Sequence, residues 1–129
     1  MDFGCGSCYG EDPGAVLEYS RGGLVITQRL ISDSHFGVSV RRCTNCGQQF
    51  IAIFTEFVDW SGGDDAQYFD IVPVTPEEAD EAIAAGENVS TSFLSNLGTG
   101  RRHLASDYPT GGPHRLNWLT GPLTVEQGY

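Results

Sequence analysis

The sequence predicts a mainly β domain with one or two short helices, and three observations carry that prediction. Several runs rich in Val, Ile, Phe and Tyr are separated by clusters of Gly, Pro, Asp and Ser, as strands are separated by turns. Thr75 to Gly86 holds the best helix start in the sequence, closed by a glycine stop. The four cysteines fall into two Cys-x-x-Cys steps, Cys5-Gly6-Ser7-Cys8 and Cys43-Thr44-Asn45-Cys46, and the second step has strand patterns on both sides. A length of 129 residues with 40% hydrophobic and 11% aromatic content fits a single folded domain, 1–129, rather than a disordered chain.

Taken in order, Gly10-Glu11-Asp12-Pro13-Gly14 reads as a turn cluster. Val16-Leu17-Glu18-Tyr19 then reads as a short strand, and Arg21-Gly22-Gly23 as a tight reversal into a second strand, Leu24 to Ile31. After a loop at Ser32-Asp33-Ser34-His35, Phe36, Val38 and Val40 alternate on one side of a strand that runs into Cys43. Gln48 to Trp60 holds a long apolar strand, which closes a hairpin around the second cysteine pair. Trp60-Ser61-Gly62-Gly63-Asp64-Asp65 is a glycine-rich acidic loop; its two adjacent aspartates fall short of the six or more oxygens a calcium ion takes. Gln67 to Val74 returns as a strand, expected at a sheet edge because Pro73 has no N–H. Thr75-Pro76-Glu77-Glu78 supplies a cap, a proline suited to the first helical turn and a capping box, with Gly86 as the stop. Ala79, Ala82, Ile83 and Ala85 form the apolar side of this helix. Ser92 to Leu97 reads as a short helix or turn, Arg101-Arg102-His103-Leu104 as the start of another, and Arg115 to Leu119 as a last strand broken by Gly121-Pro122. Trp60 and Trp118 follow or lie within strand patterns and are expected in the core.

Two Cys-x-x-Cys turns brought face to face aim four thiolates at one point about 2.3 Å from each sulfur, which is a tetrahedral zinc site. Gly47, directly after Cys46, suits a backbone turn with positive φ. On these residues, over about 3–58, the chain resembles the zinc-ribbon group, in which knuckles at the tips of two β-hairpins hold one ion. The resemblance implies a zinc-ribbon-like antiparallel sheet, extended by the strands, capped helix and C-terminal extension of 59–129. The 34 residues between Cys8 and Cys43 exceed the roughly 15 to 20 of the simplest ribbons and call for an inserted hairpin. Two disulfides, a thioredoxin-like redox pair and an iron–sulfur cluster are rival uses of four cysteines. Zinc is preferred because a reducing compartment keeps thiols free, only four residues precede Cys5 where a redox pair needs a strand, and iron–sulfur spacings are more clustered. With no open position, one structural Zn2+ is expected on Cys5, Cys8, Cys43 and Cys46.

The formal net charge is −10, and the whole imbalance lies in 56–87, which holds Glu56, Asp59, Asp64, Asp65, Asp70, Glu77, Glu78, Asp80, Glu81 and Glu87 without one basic residue. All seven basic residues of the chain are arginine, a usage that accompanies bacterial coding rich in G and C. A sequence pI near 4.4 argues against general nucleic-acid affinity and for steering of a basic protein partner, with plain solubility as the simplest alternative. The outer face of the capped helix, Glu77, Glu78, Asp80 and Glu81, is the expected partner-binding surface. Met1-Asp2-Phe3-Gly4 shows no basic region followed by an apolar stretch, and no run is long enough to cross a bilayer, so a cytoplasmic address is expected.

The expectation is therefore a non-enzymatic, zinc-stapled interaction module, an inhibitor or immunity-type protein among the options. The alternatives are a nucleic-acid-associated ribbon using Arg41, Arg42, Arg101 and Arg102, and an enzyme whose site involves His103 or His114. His35, His103 and His114 sit in polar contexts without a nucleophile elbow or metal-type pairing, and are expected at the surface.

Overall fold

A computed structural model describes residues 3–123 and 125. Its frame is a six-stranded antiparallel sheet: β1 (Leu24–Ser32), β2 (Phe36–Cys43), β3 (Gln49–Phe57), β4 (Ala66–Pro73), β5 (Arg102–Tyr108) and β6 (Arg115–Thr120). The spatial order follows the chain order, so every strand pairs only with its neighbours in sequence. Three helices complete it: α1 (Pro13–Gly23), α2 (Pro76–Ala85) and α3 (Thr91–Asn96), with a 3-10 turn at Gly86–Asn88. The mainly β class is as expected, and the sheet runs without interruption from the cysteine-bearing half into β4, β5 and β6.

Alternation along the strands separates two cores. Val38, Val40, Ile51, Ile53 and Val72 project to one face, where Ala79 and Ala82 of α2, Val89, and Leu94 and Leu97 cover them. Phe50, Ala52, Ile71 and Leu104 project to the other, beneath Cys8 and Val16 of the N-terminal segment. Opposite-face projection of successive residues is what lets one strand serve both cores. α2 begins as the sequence predicts: the Glu78 amide donates to Thr75 Oγ1 at 3.2 Å, and the Thr75 amide donates to Glu78 Oε1 at 2.9 Å. Ile83 departs from the expected apolar side and is 41% exposed.

Three elements correct the sequence reading. Residues 16–19 are helical, because Asp12-Pro13 is a cap and first-turn proline of the same kind as Thr75-Pro76; the Asp12 carboxylate accepts from the Gly14 amide at 3.0 Å. Val16, Ser20 and Gly23 are its buried residues, at helical spacing. Gly22 and Gly23 end the helix rather than turn a hairpin. Residues 102–108 form a strand, since pairing to β4 through Ile71↔Leu104 and Asp70↔Ala105 overrides a weak local pattern.

The third correction concerns β4, which is an inner strand and not an edge. Val74 donates toward β3, to Gln49 O at 3.1 Å, so the nitrogen of Pro73 faces the β5 side, where pairing has already stopped at Ile71↔Leu104. The missing donor thus falls where no partner strand needs it. At the true edge, β1 carries two register shifts, Ile26/Gln28 and Arg29/Ile31, and exposes Val25 and Ile26.

Candidate metal centre

The second cysteine pair lies in the β2–β3 connection, as expected. Cys43 closes that hairpin by donating to Gln48 O at 2.9 Å, and Gly47 takes φ 82° while its amide donates to Cys43 O at 2.9 Å. Positive φ at this position is what a residue without Cβ supplies most cheaply. The first pair departs from the two-hairpin pattern: Cys5 and Cys8 occupy a turn, held by the Tyr9 amide on Cys5 O at 2.8 Å, that leads into α1 rather than between strands. The insertion between the two pairs is consequently a helix plus the β1–β2 hairpin.

The four sulfurs converge. Cys5 Sγ lies 3.7 Å from Cys8 Sγ and 3.9 Å from Cys43 Sγ, Cys8 Sγ lies 3.7 Å from Cys46 Sγ, and all four are within 4.8 Å of one another. A tetrahedron with metal–sulfur bonds of about 2.3 Å has edges of about 3.8 Å, so the spacing fits a single tetrahedrally held ion. It is far from the roughly 2 Å of a disulfide, and all four thiols are free. The cluster could hold a metal ion, and all four cysteines would be consumed as ligands.

Groups that donate to the sulfurs surround the cluster. Asn45 Nδ2 reaches Cys5 Sγ at 3.3 Å, the Cys5 amide reaches Cys8 Sγ at 3.3 Å, and the Tyr19 hydroxyl lies 3.1 Å from Cys43 Sγ. Such outer partners favour the thiolate form and fix its direction. The Asn45 hydrogen bond, followed by the backbone at Cys8, lowers the Cys5 thiol to about 6. Burial instead pushes the Cys8 and Cys46 thiols up. Burial opposes ionisation at Cys43 too, but the Tyr19 hydroxyl and the amides of the knuckle outweigh it and the thiol is lowered. Each Cys-x-x-Cys pair therefore has one thiol shifted down and one shifted up, and a metal held by all four would displace their protons. Gly4 (φ 97°) packs against the site so closely that a Cβ there would lie 2.5 Å from Cys8 Sγ. The cysteine spacing points to the cluster; Tyr19 and Gly4, which shape its surroundings, leave no such signal.

Arg101 and Arg102 tie the N-terminal segment down. Arg102 donates to the carbonyls of Tyr9 and Gly10, stacks over the Tyr9 and Trp118 rings at 4.2 Å each, and pairs with Glu11 at 3.2 Å. Arg101 forms a two-pronged pair with Glu78 at 2.6 and 2.9 Å, donates to Pro73 O at 2.9 Å and lies over the Phe3 ring. Arg41 is half-buried over Phe69 and donates to Ser39, while Arg42 is exposed. The four arginines thus do not share one free face.

Of the proposed partner-binding acids, Glu77, Asp80 and Glu81 are exposed. Glu78 is turned inward, committed to the capping box and to Arg101. Burial works against its charge, yet Arg101 and the Thr75 amide hold its carboxyl below the usual range. Asp64 and Asp65 accept from backbone amides of Gly111 (2.7 Å) and Asp59 (2.9 Å), as loop-forming residues do.

The histidines separate into three settings. His35 Nδ1 meets Glu56 Oε1 at 3.0 Å, and His114 accepts or donates at Ser106 Oγ at 2.9 Å while stacking on Tyr108. His103, expected at the surface, is buried at 4% exposure because it lies on an inward-facing position of β5. Trp60, expected in the core, is 85% exposed in the turn after β3; Trp118 is half-buried against Tyr9. No helix among the described residues is long and apolar enough to cross a membrane. In comparisons with known proteins, no family model, no curated protein and no solved structure matches the chain.

Proposed function

We propose that the chain is a non-enzymatic protein built around one structural zinc ion, which presents an acidic face to a basic protein partner. The observation that carries the reading is the closed set of four sulfurs at tetrahedral spacing, with Cys8 and Cys43 buried. A tetrahedral thiolate set suits zinc or iron; zinc is the ion that needs no redox partner and serves as a pure staple. With every position taken by protein, the ion contributes folding energy rather than substrate activation. Glu77, Asp80 and Glu81 supply the face, from the segment that accounts for the whole charge imbalance. Such a face suits an inhibitor or immunity-type protein that masks a basic surface on its target. The nucleic-acid alternative draws less support, since Arg101 and Arg102 are engaged within the molecule.

Elemental analysis of the purified protein is expected to give one zinc per chain. The triple reversal Glu77→Lys, Asp80→Lys and Glu81→Lys should retain that zinc while losing cross-linked basic partners that the unaltered protein captures. Iron in place of zinc, or capture that survives the reversal, overturns the corresponding half of the proposal.

A further inference from the structure

Among the described residues, the sheet face that carries the helical core is not covered to its end. Beyond Leu123 it opens into a cavity of about 500 Å³, floored by Thr55, Phe57, Tyr68, Asp70, His103, Ala105 and Asp107 and walled by Leu119, Pro122 and Leu123. The volume is in the range of small-molecule sites. Register explains why its polar groups meet: Asp70 pairs across to Ala105 and Tyr68 to Asp107, so the two carboxylates are diagonal neighbours on adjacent strands, with His103 on the opposite diagonal, two residues before Ala105.

We propose that this cavity binds a small amphipathic organic cation, an ammonium or guanidinium group on an apolar body, with Asp70 and Asp107 holding the charge. The polar inventory of the cavity points to a ligand rich in donors. Both carboxylates accept, and His103 is kept neutral by burial, which lowers its affinity for a proton. His103 Nδ1, a buried nitrogen with no hydrogen-bond partner among the described residues, lies toward Gly98 and away from the lining, so the two carboxylates are the charged groups the cavity offers a ligand. The apolar walls, with Tyr68 set edge-on to Phe57 at 6.0 Å, receive the body of the ligand and present an aromatic surface to its charge. A metal ion is a poorer occupant: the only set of three or more His, Cys, Asp or Glu ligand atoms within 4.8 Å of one another, among the described residues, is the cysteine cluster.

Burial, and then the charge of Asp107, raise the Asp70 carboxyl to about 7, and burial also raises Asp107. Around Asp70 the titratable groups are Tyr68 on β4 and His103 and Asp107 on β5, with Arg115 and His114 bearing on Asp107 from beyond; the lining residues of β3 and β6 carry no charge. A cation favours the ionised carboxylates, so it binds more tightly as pH rises through 7.

The test is an amide chemical-shift titration of the zinc-loaded full chain with 2-phenylethylamine, against phenylacetate as the same body with opposite charge. Saturable shifts are expected on β4 and β5 with the amine and not with the acid, tightening about tenfold between pH 6 and pH 8. Asp70→Asn and Asp107→Asn should each weaken the amine at least about tenfold, the size of a lost charge-assisted contact. Either variant suffices should the other fail to fold. Absence of saturation by 2-phenylethylamine up to about 10 mM, a limit near the weakest specific binding, overturns the proposal, as does equal binding of phenylacetate or unchanged affinity in a folded variant.

Discussion

The two faces of the sheet are closed by different means. One is covered by α2, the 3-10 turn and α3, which bring Ala79, Ala82, Val89, Leu94 and Leu97 onto a bed of Val and Ile. The other is covered by an N-terminal segment whose contribution to the core is Cys8 and Val16, with Cys5, Tyr9, Leu17 and Tyr19 at its margin. Aliphatic burial holds the first, at about 25 cal/mol per Å² removed from water. The second has fewer such residues and relies instead on the cysteine cluster, which could hold a metal ion, the Arg102 stack on Tyr9 and Trp118, and hydrogen bonds to backbone carbonyls. A cover segment poor in large aliphatics needs a staple of this kind.

The difference can be broken from either side. The largest effect is expected from Cys43→Ser, or from chelation at low pH, where the protons of Cys8 and Cys46 return: metal is lost, Trp118 emission shifts as Tyr9 and Arg102 leave it, and the far-ultraviolet β signal persists. Retention of the native Trp118 signal without metal would show that the second face stands unaided. Next is Leu94→Ala, fully buried on the other face, which should cost about 3 kcal/mol in denaturant titration while leaving one metal per chain and the Trp118 signal unchanged. A fall in metal content would mean the faces are not independent. The smallest is Glu78→Gln, which joins both regions through Arg101 and should cost about 1.5 kcal/mol at pH 7. Because the folded Glu78 carboxyl is depressed, its contribution is present above the unfolded value near 4.3 and is lost as pH falls through the lower folded value. The gap between wild type and variant should therefore close in acid; a gap that persists would assign the effect to packing.

The same division governs what was legible in the sequence. The gathering of the four cysteines could be read because Cys-x-x-Cys carries its own geometry, and α2 because Thr75, Pro76 and Glu78 signal locally. The β2–β3 hairpin followed from its apolar alternation and the knuckle between. α1 was missed since Gly14, Gly22 and Gly23 mask a start signal at Asp12-Pro13 that matches the one at Thr75-Pro76. The strand at 102–108 was missed because its conformation comes from β4 rather than from its own residues. Glu78 was taken for a surface acid because Arg101, its partner, is 23 residues away in sequence. The cavity could not be read, as its lining comes from four strands and the segment after them.

The paired bulges of β1 bear on how copies of the molecule meet. Val25 and Ile26 lie bare on an outer strand, the setting in which another chain can dock its own backbone and begin a fibre. Two interruptions within one strand deny an incoming chain a continuous run of hydrogen-bonding groups, and Arg29 adds charge beside them. At β1 the sheet thus ends in a broken and charged border that offers a second copy poor terms for strand-to-strand addition.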